Sequence, residues 1–197
     1  MSYLLGLTGS IGMGKTTTCE FFAKQGCVIW DADLAVHDAY GPGGAAVGPI
    51  KAFLPQLFEE NKINREKLRQ IIIDDPTVLP KIEGIIHPLV QQNRQKFILD
   101  NSAPILVFDI PLLYELNIEK DFDAIACVFT APDMQKKRVM ARPGMNKRYF
   151  DMVLNKQFPA ADKAGRSDYV IDTSTLETAQ TAVNFIMKDI GRKLKNA

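Results

Sequence analysis

The residues with the clearest chemical meaning form a glycine-rich stretch near the N-terminus. It reads Gly9-Ser10-Ile11-Gly12-Met13-Gly14-Lys15-Thr16 and matches the pattern G-x-x-x-x-G-K-[ST] without a mismatch. In that pattern, glycines let the backbone wrap a polyphosphate, while N–H groups and a helix N-terminus face it. We expect Lys15 to bridge the β- and γ-phosphates and Thr16 to hold Mg²⁺ through its hydroxyl. The alternative interpretation is a glycine-rich turn that binds nothing.

Carboxylates follow two other apolar segments. Asp31 and Asp33 come directly after residues 27–30, and Asp109 ends the apolar run 104–109. On an extended backbone, Asp31 and Asp33 would face the same side and could act on a hydroxyl nucleophile or on metal-bound water. The alternative is helix capping, since Asp is a favoured N-cap residue. Asp109 either faces the water shell of Mg²⁺ or only starts a turn.

A basic segment lies between Met134 and Tyr149. It contains no acidic residue and six basic ones, namely Lys136, Lys137, Arg138, Arg142, Lys147 and Arg148. Enzymes that transfer phosphoryl groups use arginines to stabilise the transferring group, and closing segments to exclude water. We therefore interpret the segment as a lid, the alternative being a solvated helix face. The spacing predicts that Arg138 and Arg142 share one helix face.

The phosphate loop alone does not name a reaction, because GTPase switches and motor ATPases share it. The run Asn155-Lys156-Gln157-Phe158 resembles the guanine-reading N-K-x-D signature, but Phe158 replaces the required Asp. No D-x-x-G follows the segment that ends at Asp109. These differences favour phosphoryl transfer to a small molecule.

The elements that must position these residues alternate between strands and helices. Strands are predicted at residues 3–8, 27–30, 104–109, 124–129 and 169–171. One helix is predicted at residues 15–24, and a second follows Asp31-Ala32-Asp33 and ends at Tyr40. The C-terminal helix begins at a capping box, Ser174-Thr175-Leu176-Glu177. This alternation predicts an α/β fold with a parallel sheet covered by helices on both faces. Residues 45–101 have a more polar, helical pattern, with restarts at Asn64 and at Asp75-Pro76, which predicts an inserted helical subdomain.

Composition excludes several classes of protein. The chain has 197 residues, 46% of them hydrophobic and 24% charged, which is close to the average for globular proteins. A net charge of +1 argues against a protein that coats nucleic acid. We expect no membrane-spanning segment, because no apolar run approaches the roughly 18–20 residues needed to cross a bilayer. We also expect no signal peptide, because the first residues lack a basic region. Three widely spaced cysteines, Cys19, Cys27 and Cys127, suggest buried free thiols in a reducing cytosol.

With these residues in hand, the chain resembles the dephospho-CoA kinase family over nearly its whole length. The resemblance rests on residues 7–16 and on five further motifs in order. These are Asp31-Ala32-Asp33, His87-Pro88-Leu89-Val90, Asp109-Ile110-Pro111-Leu112-Leu113-Tyr114-Glu115, Lys137-Arg138 with Arg142, and Ser167-Asp168-Tyr169-Val170-Ile171-Asp172. The chain departs from the family at Pro143 and at Thr173, where Asp and Asn are often found.

The resemblance implies a three-layer P-loop NTPase fold of the nucleoside-monophosphate-kinase type, with a five-stranded parallel sheet, an inserted helical substrate subdomain and a lid. Residues 1–197 would form a single kinase domain. Its core would comprise residues 1–40 and 102–197, the helical CoA-binding subdomain about 41–101, and the lid about 134–150.

The implied activity is transfer of the ATP γ-phosphoryl group to the ribose 3′-hydroxyl of dephospho-CoA, the last step of coenzyme A biosynthesis. Lys15, Asp33, Arg138 and Arg142 would be catalytic, and Thr16 would bind Mg²⁺. ATP would contact Gly9, Gly12, Met13, Gly14, Lys15, Thr16, Thr17 and Arg142. Dephospho-CoA would contact Asp33, His87, Pro111, Leu112 and Leu113.

The resemblance also predicts a cytoplasmic monomer or weak homo-oligomer whose partner is the small molecule dephospho-CoA, with neither nucleic acid nor a membrane. Two other functions remain open from the residues. One is another small-molecule kinase acting on a nucleoside or nucleotide, and the other is a nucleotide-binding module without catalysis.

Overall fold

The computed structural model describes residues 2–196, which contain a five-stranded and a two-stranded sheet. The strands are β1 (Tyr3–Thr8), β2 (Val28–Asp31), β3 (Phe58–Glu59), β4 (Lys62–Ile63), β5 (Ile105–Asp109), β6 (Ala124–Phe129) and β7 (Tyr169–Asp172). The larger sheet has the order β2-β5-β1-β6-β7. Its strands are parallel, with Leu5 opposite both Val107 and Ala124. The five predicted strands and the α/β class are confirmed.

Nine α-helices lie within the described residues. They are α1 (Lys15–Lys24), α2 (Ala32–Tyr40), α3 (Val47–Phe53), α4 (Arg65–Asp74), α5 (Val78–Asp100), α6 (Pro132–Met140), α7 (Lys147–Leu154), α8 (Ala160–Arg166) and α9 (Leu176–Lys195). Short 3₁₀ turns occur at Pro55–Leu57 and Glu119–Asp121. None of these helices combines the length and the apolar character needed to cross a membrane.

The chain divides into two compact units, one of residues 1–30 with 101–197 and one of residues 31–100. In the first unit, α1 and α9 cover one face of the large sheet. Phe22 of α1 and Val183 of α9 are completely buried in the same cluster as Leu7. The buried residues of α9 recur at helical spacing, at Ala179, Val183, Ile186 and Ile190, which explains why this segment is a helix.

The cap of α9 differs from the predicted one. The N-cap is Thr175, whose hydroxyl accepts a hydrogen bond from the N–H of Thr178 at 3.0 Å, while the Thr178 hydroxyl accepts from the Thr175 N–H. The prediction that Ser174 and Glu177 form the box was therefore wrong by one residue. Ser174 instead forms a turn with Asp172, donating from its N–H at 2.8 Å.

The opposite face of the large sheet is covered by α8 and by the turns that follow β5. Phe108 packs against Phe122 with ring centroids 5.4 Å apart. A Cβ atom at Gly6 would come within 2.8 Å of Leu113, so the turn lies directly on β1. The Tyr114 hydroxyl hydrogen-bonds Ser167 at 2.8 Å, just after α8. Helices and turns thus sandwich the sheet as predicted.

The second unit, residues 31–100, has its own apolar core, in which Ile50, Leu57 and Ile82 are buried. Its helices include the predicted one ending at Tyr40, and Asn64 caps α4 as expected, accepting from the N–H of Lys67. The helix predicted to restart at Asp75-Pro76 begins at Val78 instead. The unit begins at Asp31, whereas the sequence places the helical subdomain from about residue 41.

A β-hairpin interrupts the part of this unit predicted to be helical. Phe58 pairs with Ile63 and Glu59 with Lys62 in antiparallel register. Glu60 and Asn61 between them both have positive φ, at 47° and 62°. Positive φ at both central residues is the signature of a type I′ turn, which matches the twist of a two-residue hairpin. The hairpin was missed because its strands are only two residues long.

Candidate active site

The phosphate loop connects the end of β1 to the start of α1, as its mechanism requires. Gly9, Gly12 and Gly14 all have positive φ, at 152°, 77° and 93°. A Cβ atom at Gly12 would lie 2.4 Å from Val139 Cγ2, and one at Gly9 would lie 2.3 Å from Val128 Cγ2. Glycine is therefore needed at Gly9 and Gly12 for both backbone conformation and space.

Side chains distant in sequence hold the loop in this shape. Gln135 Nε2 donates to the Ile11 carbonyl at 2.8 Å, and the Ile11 N–H donates to Gln157 Oε1 at 3.1 Å. The Thr173 hydroxyl donates to the Met13 carbonyl at 2.7 Å. Gln135, Gln157 and Thr173 were not predicted as site residues, because no local pattern links them to the loop.

Lys15 and Asp109 meet at the carboxyl ends of β1 and β5. Lys15 Nζ lies 2.9 Å from Asp109 Oδ1, and both side chains are largely buried. The other oxygen, Oδ2, is 3.5 Å from Cys19 Sγ. The Asp109 carboxylate therefore contacts the lysine of the phosphate loop, and its role toward the water shell of Mg²⁺ stays a prediction. Neighbouring parallel strands end at the same edge of a sheet, which explains the meeting.

The hydroxyls of α1 differ in exposure. Thr16 is exposed and Thr17 half-buried, whereas Thr18 is buried and its hydroxyl donates to the Gly14 carbonyl at 3.0 Å. Residues 2–196 contain no group of three or more His, Cys, Asp or Glu side chains that could hold a metal ion. A Thr hydroxyl and the Asp109 carboxylate are nevertheless suited to Mg²⁺ that arrives with substrate phosphates, because Mg²⁺ takes few protein ligands in such sites.

The two arginines of the basic segment have different surroundings. Arg138 lies in α6 and its guanidinium donates to the Thr173 carbonyl at 2.6 Å. Arg142 is exposed and lies beyond the end of α6 at Met140. The prediction that both arginines share one helix face was wrong, because the chain turns at Ala141 through Gly144, where Gly144 has a φ of 73°.

An open groove of about 720 Å³ lies along α7. Its lining belongs to α7 and the residues just after it: Lys147, Arg148, Asp151, Met152, Asn155 and Lys156. Lys147 is paired with Asp151 at 2.9 Å, and this pairing raises the pKa of Lys147. Two of its lining residues, Lys147 and Arg148, belong to the segment interpreted as a lid, and both are exposed.

The turn after β5 is anchored by a buried cation. Lys163 Nζ is fully buried, donates to the Pro111 carbonyl at 2.8 Å and pairs with Glu115 at 2.7 Å. Within the turn, Leu113 is buried and Leu112 is exposed. Their contact with substrate stays a prediction, as does that of Pro111.

Asp31 and Asp33 belong to the second unit and have different roles in its backbone. Asp31 is the N-cap of α2, accepting from the Leu34 N–H at 3.0 Å. Asp33 is exposed in the first turn of α2. The expectation that both carboxylates face one side of an extended backbone was wrong. The cap starts the helix, in which residues two apart point in different directions. His87 is exposed on α5.

Comparisons with known proteins identify the family of the chain. The family model for dephospho-CoA kinase matches residues 3–178. A dephospho-CoA kinase from Ruegeria pomeroyi is 48% identical over 190 residues, covering 96% of each chain. One from Cereibacter sphaeroides is 42% identical over 188 residues, covering 95% of each.

Solved structures show the same fold. A protein from Thermus thermophilus superposes with a TM-score of 0.84 at 25% identity, covering 95% of this chain and 97% of that one. Dephospho-CoA kinase from Campylobacter jejuni gives a TM-score of 0.70 at 23% identity, covering 98% and 100%. The phosphate loop, the family model and the extent of these matches lead to one conclusion: the chain belongs to the dephospho-CoA kinase family.

Proposed function

We propose that this chain performs the reaction of its family, which is transfer of the ATP γ-phosphoryl group to the 3′-hydroxyl of dephospho-CoA. The observation that carries the assignment is the complete phosphate loop, with Lys15 Nζ 2.9 Å from Asp109 Oδ1. The loop N–H groups and the α1 N-terminus offer positive potential to a polyphosphate. ATP phosphates would compete with Asp109 for the Lys15 ammonium.

Mg²⁺ would be held by the Thr16 hydroxyl, with Asp109 accepting hydrogen bonds from its water shell. When bound, the ion neutralises charge on the β- and γ-phosphate oxygens. Asp109 Oδ1 is buried and makes no hydrogen bond of good geometry beyond its ion pair with Lys15, so it retains accepting capacity. Lys15 supplies a second positive charge where negative charge moves during transfer.

Asp33 would orient the acceptor hydroxyl and accept its proton, the role that the family motif implies for this position. Its exposure at the start of α2 leaves its side chain accessible to a ligand. Phosphoryl transfer passes through a loose transition state, so orientation contributes more than early deprotonation. His87, Pro111, Leu112 and Leu113 are the proposed contacts of dephospho-CoA.

Arg142 would close over the ATP phosphates, and Arg138 would stabilise the transferring group or hold adenine. The exposed position of Arg142 in a turn supports a mobile role, since few contacts would have to break. We place the enzyme in the cytosol as a monomer or weak homo-oligomer. Cys19, Cys27 and Cys127 form no disulfide within residues 2–196, which supports a reducing compartment.

The test compares acceptors directly. The purified protein is incubated with ATP and Mg²⁺ and with dephospho-CoA, adenosine or AMP, and the products are identified by mass spectrometry. We expect a mass increase of one phosphate on dephospho-CoA alone and no product with Lys15→Met. Phosphorylation of a nucleoside in preference to dephospho-CoA would overturn the proposal. ATP binding with no acceptor phosphorylated would indicate a binding module.

A further inference from the structure

Ile11, in the phosphate loop, has both of its main-chain polar groups bound by glutamine side chains. Gln135 Nε2 donates to the Ile11 carbonyl at 2.8 Å, and Gln157 Oε1 accepts from the Ile11 N–H at 3.1 Å. Gln135 is 6% exposed, so its amide is shielded from water. A buried amide that loses its hydrogen-bond partner carries a desolvation penalty, so this contact is costly to break.

The two glutamines flank the turn that carries Arg142. Gln135 is in α6, and Gln157 follows α7, so residues 141–146 lie between them along the chain. The residue after Gln157 is also fixed, because the Phe158 N–H donates to Glu115 at 2.7 Å. Residues 135–157, which include Arg142, are therefore attached to the phosphate loop at both ends.

Contacts around the loop indicate that this attachment sets the loop's shape. The Cα of Gly12 approaches α6 so closely that an added Cβ would lie 3.2 Å from the Gln135 carbonyl. The Ile11 N–H is occupied by Gln157, so other N–H groups of the loop must bind phosphate. We propose that Gln135 and Gln157 are positioning residues that fix the phosphate loop through Ile11 and couple it to the lid. This inference rests on the proposed role of the loop in ATP binding.

The experiment uses Gln135→Met and Gln157→Met, which keep side-chain length but remove the hydrogen-bonding groups. The matched control is Gln25→Met, because Gln25 makes only a surface hydrogen bond to Asn184 through its side chain. For each variant we measure the Kd of a non-hydrolysable ATP analogue with Mg²⁺ by calorimetry. We also measure kcat with dephospho-CoA, and Tm with and without the analogue.

We expect the Kd to rise roughly 5- to 30-fold in each glutamine variant, the range for losing an interaction of this class. The rise in Tm on adding the analogue should shrink, and kcat should fall. In the double variant, the rise in Kd should be smaller than the product of the two single rises, because both glutamines hold the same residue, Ile11. Gln25→Met should behave as wild type.

A merely structural role would lower the Tm of the free protein while leaving the Kd and kcat unchanged, and that result would overturn the inference. If Gln135→Met does not fold, the half-exposed Gln157 decides the question alone. Lys15→Met is measured in parallel. Full activity in Lys15→Met would contradict the proposed function itself. If Lys15→Met is impaired while both glutamine variants behave as wild type, only the proposed role of the glutamines is wrong.

Discussion

Lys15 Nζ and Asp109 Oδ1 lie 2.9 Å apart, so the lysine of the phosphate loop is paired with the carboxylate at the end of the neighbouring strand. The pair keeps the ammonium at the carboxyl edge of the sheet, where a polyphosphate would meet it. Because the Asp109 side chain is only 10% exposed, removing its cation would leave a carboxylate in poorly solvated surroundings.

Lys15→Met should lower kcat by at least about 10²-fold, since a preorganised charge at the transferring group is lost. Steady-state kinetics with dephospho-CoA measures the effect, and Lys24→Met, on an exposed position of the same helix, is the control. Normal turnover in Lys15→Met would contradict the assignment of the loop.

Asp109→Asn should reduce turnover and raise the Mg²⁺ concentration needed for half-maximal rate. The amide keeps the shape of the side chain but removes the charge that faces Lys15 and the proposed metal shell. A magnesium titration of the rate checks this expectation. If Asp109 only ends the strand, the titration curve will match that of the wild type and only Tm will change.

Substitutions of Asp31 and Asp33 should have different effects on activity and stability. Asp33→Asn should preserve ATP affinity and lower single-turnover transfer by about 10²-fold, the lower part of the range for loss of a general base. Asp31→Ala should instead cost about 1 kcal/mol of stability, because it removes the N-cap of α2. Calorimetry, single-turnover transfer and urea unfolding of both variants distinguish these roles. Reversed effects would show that the acceptor assignment is wrong.

Substitutions of Arg138 and Arg142 should also differ in their effects on activity and stability. Arg142→Ala should raise the KM for ATP or lower kcat with little change in Tm, because its side chain is exposed. Arg138→Ala should also destabilise the protein by roughly 1–2 kcal/mol, because it removes the hydrogen bonds to Thr173. Kinetics and thermal melts report both effects. Unchanged kinetics for Arg142→Ala would favour a solvated surface turn over a lid.

Alkaline pH should destabilise the protein through its buried thiols. Burial raises the pKa of Cys127 from 9.0 to about 11, so the unfolded chain releases this proton first as pH rises. Stability should therefore fall between pH 9 and 11, by an amount on the order of 2 kcal/mol for this thiol. Urea unfolding near both pH values should show a smaller fall in stability for Cys127→Ala than for the wild type. Equal falls would exclude Cys127 as a source.

Much of the fold was predictable because the signals are local. The apolar runs of β1, β5 and β6 are buried on both faces of a parallel sheet, and such strands have near-continuous hydrophobic sequences. The phosphate loop was equally clear, since its glycines meet a backbone requirement that few other residues satisfy. The β3–β4 hairpin was missed, because two-residue strands are too short for a periodic pattern.

The surroundings of the loop were less predictable. Gln135, Gln157 and Thr173 contact it across more than a hundred residues of sequence, and nothing in their own neighbourhoods marks them. Thr173 was noted only as a departure from the family pattern. The structure shows that it accepts from Arg138 and donates to the loop. Such contacts depend on strand order, which sequence spacing alone does not specify.

The position of β1 in the centre of the sheet has a consequence for how the protein folds. This strand is synthesised before its two neighbours, since Tyr3 pairs with Ile105 and Leu5 with Ala124. About a hundred residues must therefore leave the ribosome after β1 before this central strand has a partner. The unit of residues 31–100 has shorter-range contacts and should assemble earlier, because local contacts need less loop closure. Until β5 is made, β1 keeps two unpaired edges, and until β6 is made it keeps one, which exposes it to aggregation during synthesis.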